Sequence, residues 1–169
     1  MPSPAPDFIT LYEDQLSQVY GYLAYRVRTR EDAEDLTQLT FERAMRAWGR
    51  FDPTRSQPQT WLISIARNLL IDHYRADRRS RQIPIEEVEG EAPATAEAQP
   101  DLGLEPEVAA ALAQLSSRDR EIVALRFGAD LTGPEIAATT GLELANVQQI
   151  LSRALRRMRG DIEREREPG

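Results

Sequence analysis

Cysteine and lysine are both absent from this chain of 169 residues, and histidine occurs once, at His73. Without cysteine, no disulfide bond, thiolate metal site or cysteine nucleophile can form. A single histidine leaves little scope for a histidine-based catalytic site. No apolar run approaches the roughly 20 residues that a membrane span requires. The N-terminus lacks the basic and apolar blocks of a signal peptide, so we expect a cytoplasmic protein without membrane insertion.

All 21 basic residues are arginine, and 28 acidic residues give a net charge of −7 at pH 7. The excess of acid lies in residues 82–107, which hold 8 acidic residues and no basic one, whereas the flanking segments are close to neutral. The overall acidity therefore does not exclude nucleic-acid binding by those flanking segments. Arginine suits bidentate recognition of phosphate and guanine, although GC-rich codon usage is the simpler explanation of the all-arginine composition.

The segment before residue 82 contains three stretches with apolar residues at helical spacing. The predicted helices, with their caps, are Asp7 to about Val27, residues 32–48 after Thr29, and Trp61 to about Arg79 after Thr60. The expected core face of the first helix is Phe8, Leu11, Tyr12, Leu16, Val19, Tyr20, Leu23 and Val27. Residues 49–59 are predicted to form a loop that Phe51 anchors to the core. Arg26, Arg28 and Arg30 cluster at the first turn, where they either contact DNA backbone or face solvent.

The segment after residue 107 has the spacing of a helix-turn-helix. Ala137, Gly141 and Val147 supply the small residue at the helix crossing, the glycine of the turn and the aliphatic residue that packs the second helix. Further expected features are a helix start near Pro106, a cap at Ser116 or Ser117, a core of Ile122, Val123, Leu125 and Phe127, and a Thr132–Glu135 capping box. The second helix should run from about Leu144 to Arg159, with a frayed tail after Gly160.

Motifs in both segments carry a family resemblance. The N-terminal motifs are Asp35-x-x-Gln38-x-x-Phe41, Thr60-Trp61-Leu62-x-x-Ile65-Ala66-Arg67-Asn68 and Asp72-x-x-Arg75. They resemble region two of bacterial sigma factors, in particular of the small extracytoplasmic-function (ECF) type. The C-terminal motifs are Arg120-Glu121-Ile122-Val123, Glu135-Ile136-Ala137 and Ser152-Arg153-Ala154-Leu155. They resemble region four of the same family.

The resemblance implies an all-α protein of two small helical domains. Region two, a helical bundle, would span residues 7–81, and region four, the helix-turn-helix, would span residues 108–160. The acidic residues 82–107 would form a flexible linker between them. Such a protein binds core RNA polymerase through the clamp of the largest subunit and the flap, and it recognises and helps to melt promoter DNA. An anti-sigma factor is a further implied partner, and no cofactor or metal is expected.

Carried over by position, the resemblance assigns three sets of candidate site residues. The polymerase-binding set is Asp35, Gln38, Leu39, Glu42 and Arg46, in which Leu39 stands where the family commonly has an acid. The set for the minus-ten promoter element is Arg55, Ser56, Gln57, Trp61, Arg67, Asn68, Asp72, Arg75, Arg78 and Arg79. The set for the minus-thirty-five element is Asn146, Gln148, Gln149, Ser152, Arg153, Arg156 and Arg157. Trp61 either stacks on a base or packs in the core, and the sequence does not choose.

The function implied is that of an alternative sigma factor, not an enzyme. A stand-alone helix-turn-helix regulator is one alternative, but it leaves the Asp35, Gln38 and Phe41 motif without a role and predicts self-dimerisation on a palindromic operator. A degenerate sigma-like protein that binds polymerase without initiating is another. A metal-dependent hydrolase lacks support, since the sequence has no glycine-rich phosphate loop, histidine cluster or Ser/His/Asp set.

Overall fold

The structure is a computed structural model that describes residues 7–81 and 103–167. Within these ranges the chain forms seven α-helices and no β-strand. They are α1 (Phe8–Ala24), α2 (Arg30–Ala47), α3 (Pro58–Arg81), α4 (Pro106–Ala113), α5 (Ser117–Val123), α6 (Gly133–Thr140) and α7 (Leu144–Arg166). The all-α prediction is confirmed. Most of the predicted linker, residues 82–102, lies outside the described residues.

Most of the predicted caps are present. The side chains of Asp7, Thr29 and Ser116 accept hydrogen bonds from backbone N–H groups three residues later. Thr132 and Glu135 form a full capping box, which satisfies two otherwise unpaired N–H groups at the start of α6. Thr60 is an exception. Helix α3 begins two residues earlier, at Pro58, because the fixed φ of proline suits a first helical turn.

The predicted end of the last helix is wrong. Helix α7 continues through Gly160 to Arg166 instead of fraying. The extension packs against α4: Ile162 lies on the smaller apolar cluster with Leu112 and Leu115, and Arg166 pairs with Glu107 at 2.7 Å. The partner helix therefore holds in place a segment that its charged sequence alone would leave frayed. No helix in the described ranges has the length and apolarity that a membrane span needs.

Helix α1 is covered on more sides than its sequence pattern predicts. Leu11, Val19 and Leu23 are buried as expected, and so is Val27, although α1 ends at Ala24 and not at about Val27 as predicted. Tyr22 is fully buried although it lies off the predicted face. By contrast, the expected core residues Tyr12 and Leu16 are 42% and 37% exposed. The reason is that α2 and α3 pack on one side of α1 while the C-terminal segment packs on another.

A single π-helical turn, Ala124–Gly128, follows α5 and corrects another core prediction. The N–H of Ala129 donates to the carbonyl oxygen of Ala124, five residues earlier, at 2.9 Å. A π-turn shifts the direction in which later side chains point. Consequently Phe127 is 47% exposed, whereas Ile122, Val123 and Leu125 are buried as predicted.

The two helical segments share one continuous apolar core. Ile122, Leu125, Leu131 and Ile136 of the C-terminal segment belong to the same buried cluster as the α1–α3 core. The backbones come very close at Gly21 in α1 and Gly128 at the end of the π-turn. A Cβ atom built on Gly21 would lie 2.4 Å from the carbonyl oxygen of Gly128, so this contact requires glycine.

Candidate polymerase and nucleic-acid interfaces

One surface of α2 carries the predicted polymerase-binding residues. Asp35, Gln38, Leu39 and Arg46 are exposed and Glu42 is partly buried. They lie at helical spacing on one side of α2, opposite the buried Ala33, Thr37, Thr40 and Ala44. The Nε2 atom of Gln38 donates to Oε1 of Glu42 at 3.1 Å. The structure therefore brings the whole set together on one accessible helix face.

An open groove of about 980 Å³ runs between α1 and α2 beside that face. Its apolar lining includes Phe8, Tyr12, Leu16, Phe41 and Met45. The rings of Tyr12 and Phe41 meet edge to face, with centroids 4.8 Å apart. Gln38 and Glu42 line the same groove, which places apolar surface next to the polar face.

A cluster of aromatic rings fixes the loop between α2 and α3. Phe51 stacks on Trp48 at a centroid distance of 5.1 Å and lies 4.9 Å from Trp61. Phe51 therefore anchors the loop to the core as predicted. Trp61 is partly buried and packs against the main core as well as these rings. Its packing within this cluster matches the core interpretation of Trp61.

The tip of this loop is ordered by Asp52. Its carboxylate accepts hydrogen bonds from the hydroxyl and the N–H of Thr54, at 2.6 and 2.9 Å. These bonds lower the pKa of Asp52, so its charge is retained to lower pH. Arg55 and Gln57 are exposed beyond the tip, and Ser56 is partly buried. These three predicted DNA-contacting side chains lie close together on a loop of defined conformation.

Helix α3 presents a polar strip beyond the loop. Asn68, Asp72, Arg75 and Arg79 are exposed, and Arg78 is partly buried. Their spacing of three and four residues aligns them along one side of the helix. Arg67 belongs to the same predicted set, but the structure places it differently. Its side chain is 28% exposed and its Nε atom is 2.8 Å from Oε1 of Glu121, on the C-terminal segment.

Glu121 is the centre of a polar cluster that the sequence did not predict. Its carboxylate accepts hydrogen bonds from the Tyr22 hydroxyl at 2.9 Å and from Arg67 at 2.8 Å, and it lies 3.0 Å from Nε of Arg26. Burial raises the pKa of Tyr22 well above its ordinary value of 10.0, and the Glu121 charge raises it further. The sequence predicts that Arg26 contacts DNA or faces solvent, but it is 7% exposed inside this cluster. The one sequence signal for Glu121 is its place in the Arg120-Glu121-Ile122-Val123 motif.

Further polar contacts join the same two segments. Arg120 donates to the carbonyl oxygen of Tyr25 at 2.8 Å, and burial lowers the pKa of Arg120. Arg67 also donates to the carbonyl oxygen of Thr139 in α6 at 2.9 Å. Gln59 donates to the carbonyl oxygen of Ala129 at 2.6 Å. The segments are therefore held together by hydrogen bonds as well as by their shared core.

Helices α6 and α7 form the predicted helix-turn-helix. Gly141 ends α6 with φ 77°, a left-handed conformation that favours glycine. Val147, Ile150, Ala154 and Met158 bury one face of α7. The opposite face carries the predicted DNA-contacting set: Gln148, Gln149, Ser152, Arg153, Arg156 and Arg157 are exposed, and Asn146 is partly buried. The geometry suits insertion of the start of α7 into a major groove.

Comparison with known proteins identifies relatives for both segments. The family model described as Sigma-70 region 2 matches residues 11–80, and the model described as Sigma-70, region 4 matches residues 111–160. The RNA polymerase sigma factor YlaC of Bacillus subtilis is 30% identical over 162 residues, covering 93% of this chain and 92% of YlaC. The ECF RNA polymerase sigma factor BldN of Streptomyces coelicolor is 34% identical over 156 residues. That match covers 90% of this chain and 59% of BldN.

A solved structure has the same fold. The sigma factor RpoE of Bartonella quintana, crystallised with the anti-sigma factor NepR, superposes with a TM-score of 0.73 at 23% identity. The superposition covers 94% of this chain and 98% of that chain, so it includes both helical segments.

Proposed function

This chain belongs to the extracytoplasmic-function family of RNA polymerase sigma factors, and we propose which of its residues bind core polymerase and which bind each promoter element. As a family member it directs transcription initiation. The observation that carries the proposal is that the two family regions occur in the family order, each with most of its predicted contact residues on accessible surface.

Helix α2 is the proposed docking site for the clamp of the polymerase largest subunit. Asp35, Gln38, Glu42 and Arg46 offer charged and amide groups on one face, and Leu39 is 45% exposed among them. Interfaces of this kind combine a few anchoring side chains with a polar surround. Leu39 supplies an apolar anchor where relatives commonly have an acid. The groove on the Gln38 side of the same face, lined by Tyr12 and Phe41, adds apolar area.

The loop tip and α3 are proposed to hold the minus-ten element during strand separation. Arg55, Ser56 and Gln57 supply hydrogen-bonding groups for an unpaired base, which a protein reads along its Watson–Crick edge. Asn68, Asp72 and Arg75 follow along the exposed strip of α3. Arg78 and Arg79 would bind phosphate, which adds affinity without sequence information. Trp61 is assigned to supporting this loop from beneath, since it packs against Phe51.

Helix α7 is proposed to read the minus-thirty-five element in the major groove. Asn146, Gln148 and Gln149 lie in the first turns of α7, which is the part of a recognition helix that reaches base edges. Asparagine and glutamine can bind adenine through two hydrogen bonds, and Arg153 can bind guanine in the same way. Ser152 adds a further hydroxyl. Arg156 and Arg157 lie further along the helix, where phosphate contacts are expected.

The partners follow from this assignment. They are core RNA polymerase, through its clamp and flap, promoter DNA, and an anti-sigma factor that keeps the protein inactive. RpoE of Bartonella quintana, which shares the fold, was crystallised with such an inhibitor. The protein would act in the cytoplasm, where polymerase and DNA are, and would catalyse no reaction itself.

Core binding is the first test. The purified full chain is mixed with sigma-free core polymerase of the host bacterium and passed over a gel-filtration column. A one-to-one complex is expected, and Gln38→Ala should weaken it while Gln114→Ala, an exposed glutamine of the C-terminal segment, should not. Absence of any complex with wild-type protein would contradict the proposal.

A further inference from the structure

We propose that a cavity between α1 and the loop before α3 receives an unpaired minus-ten base, and that Gln15 of α1 selects a base with an exocyclic amine. The inference rests on the proposed function, because Gln57, which lines this cavity, belongs to the minus-ten set. It goes further by naming a selecting residue outside that set. It also names the base that is rejected, which is thymine, since thymine alone among the four DNA bases has no exocyclic amine.

The cavity has the size and the walls of a small-ligand site. Its volume of about 480 Å³ lies within the range of roughly 300–1,000 Å³ that is typical of ligand pockets. Leu11 and Pro58 give it apolar walls, against which the flat face of a base can pack. Its polar lining consists of Asp14, Gln15, Gln57, Gln59 and Glu135. All of the lining except Glu135 belongs to the N-terminal segment, so that segment supplies nearly the whole site.

The loop side of the cavity is held in position by the N-terminal segment itself. Gln57 directly precedes Pro58, the first residue of α3, and its carbonyl oxygen accepts a hydrogen bond from the N–H of Trp61 at 3.0 Å. The ring of Trp61 packs in turn against Phe51. The backbone at Gln57 is therefore fixed, while its side chain is exposed and available to a base.

Gln15 has an unmet hydrogen-bond acceptor on the helix side of the cavity. Its Oε1 atom is shielded from solvent, and no group in the described ranges donates to it. A shielded carbonyl oxygen without a donor costs free energy, and native structures contain few of them. Because Gln15 as a whole is only partly buried, a base that enters the cavity can reach its amide. The unmet acceptor indicates that the bound group supplies an N–H.

The neighbouring carboxylate makes an amine the fitting donor. Asp14 is exposed and lines the same cavity, and an ionised carboxylate accepts hydrogen bonds but cannot donate them. An exocyclic amine carries two N–H groups, so it can serve Gln15 and Asp14 together. The Watson–Crick edge of thymine offers one ring N–H between two carbonyl oxygens, and these oxygens would face the acceptors of the cavity. Adenine, cytosine and guanine are therefore favoured over thymine.

Base analogues that lack only the amine test this selection. The promoter is first located by start-site mapping, and its minus-ten element is presented to holoenzyme as a DNA fork with an unpaired non-template strand. At each position in turn, adenine is replaced by purine, cytosine by 2-pyrimidinone or guanine by hypoxanthine. At one position, loss of the amine should weaken binding by wild-type holoenzyme by about tenfold, the effect of losing well-placed hydrogen bonds to a base.

Variants of α1 then assign that effect to one side chain. Gln15→Leu should bind the natural and the substituted fork with equal affinity at that position. Gln15→Glu keeps an acceptor at the same place and should retain the discrimination. Gln18→Leu is the matched control, because Gln18 lies in the same helix and also has a shielded Oε1 without a donor, but it does not line the cavity. This control should discriminate as wild type does.

The outcomes separate the inference from the proposed function. Sensitivity of wild type at no position, or retained discrimination by Gln15→Leu, would overturn the inference. Equal loss of discrimination in Gln15→Leu and Gln15→Glu would also overturn it, because a structural role of Gln15 would then explain both. In each of these cases the fork is still bound, so the proposed function stands. Failure of wild-type holoenzyme to bind any fork would overturn the function and the inference together.

Discussion

Gly21 and Gly128 meet backbone to backbone: a Cβ atom on Gly128 would lie 2.6 Å from the carbonyl oxygen of Gly21. This contact sets how closely α1 approaches the π-turn of the C-terminal segment. No flexible side chain is available to yield, because the opposing atoms belong to the backbone. The fit of the two segments therefore depends on glycine, which has no Cβ atom, at both positions.

Gly21→Ala should destabilise the protein even though alanine favours helix. Overpacking at a close contact costs roughly 1–3 kcal/mol, more than the gain of roughly 0.5–1 kcal/mol that alanine brings over glycine within a helix. Gly160→Ala is the matched control, since Gly160 lies within α7 and a Cβ there meets nothing within 4 Å. Urea unfolding should show opposite signs for the two variants. Equal stabilisation of both would contradict the close contact.

The α2 face makes a separate prediction about polymerase affinity. Asp35→Ala and Gln38→Ala should each weaken binding to core by about tenfold, the size of effect that single anchoring residues have at protein interfaces. Asp14→Ala removes an exposed carboxylate from α1 and should leave the affinity unchanged. Fluorescence titration of labelled protein with core polymerase measures all three. Loss of affinity only for Asp14→Ala would place the docking site elsewhere.

Two variants of α7 should separate base reading from phosphate binding. Gln149→Ala should cost about 1–3 kcal/mol on the preferred minus-thirty-five sequence and little on an altered one. Arg157→Ala should weaken binding to both sequences alike. It should also reduce the slope of log affinity against log salt concentration by about one. The measurement is holoenzyme binding to the two DNA sequences over a range of salt concentrations. Identical profiles for the two variants would argue against this division.

The buried Tyr22 hydroxyl predicts a loss of stability at alkaline pH. Burial raises the pKa of Tyr22 in the folded protein above the unfolded value of about 10, so the unfolded chain releases its proton first. Stability from this group is complete below that value and decreases as the pH rises above it. Urea unfolding at pH 8 and above pH 10 should reveal the loss, which Tyr22→Phe should reduce. Tyr12→Phe, at an exposed tyrosine, should leave the pH dependence as in wild type.

Features that depend on residues close together in the chain could be predicted from the sequence. Caps at Asp7, Thr29 and Thr132, the glycine turn at Gly141 and the exposed faces of α2 and α7 depend on local spacing and local hydrogen bonds. Such patterns are readable because helical geometry repeats every 3.6 residues. The family resemblance then assigned candidate contact roles to these faces.

Contacts between residues that are far apart in the chain could not be predicted from local sequence patterns. Tyr22 and Glu121 are separated by 99 positions, and nothing local marks them as partners. Local patterns likewise do not predict the exposure of Tyr12 in α1 or the burial of Arg26 just after it, because α1 packs on two segments at once. Gly21 did carry a usable signal, because a glycine within a helix lowers helix stability and so suggests a close packing contact.

The π-turn shows a different limit. Phe127 follows the buried Val123 by four residues, a spacing that would place both on one face of an α-helix. The hydrogen bond from Ala129 to Ala124, five residues earlier, changes the direction in which Phe127 points. A burial prediction from hydrophobic periodicity assumes one helix type throughout, so it is wrong for residues that follow a π-turn.

Mapping of transcription start sites tests the sigma-factor assignment most directly. Core polymerase, the purified chain and sheared genomic DNA are incubated, and the 5′ ends of the RNA are sequenced. The assignment predicts defined starts preceded by two shared motifs, present only with the chain and strongly reduced by Gln38→Ala. Starts that do not depend on the chain, or none at all despite DNA binding without polymerase, would contradict it and favour a stand-alone helix-turn-helix regulator.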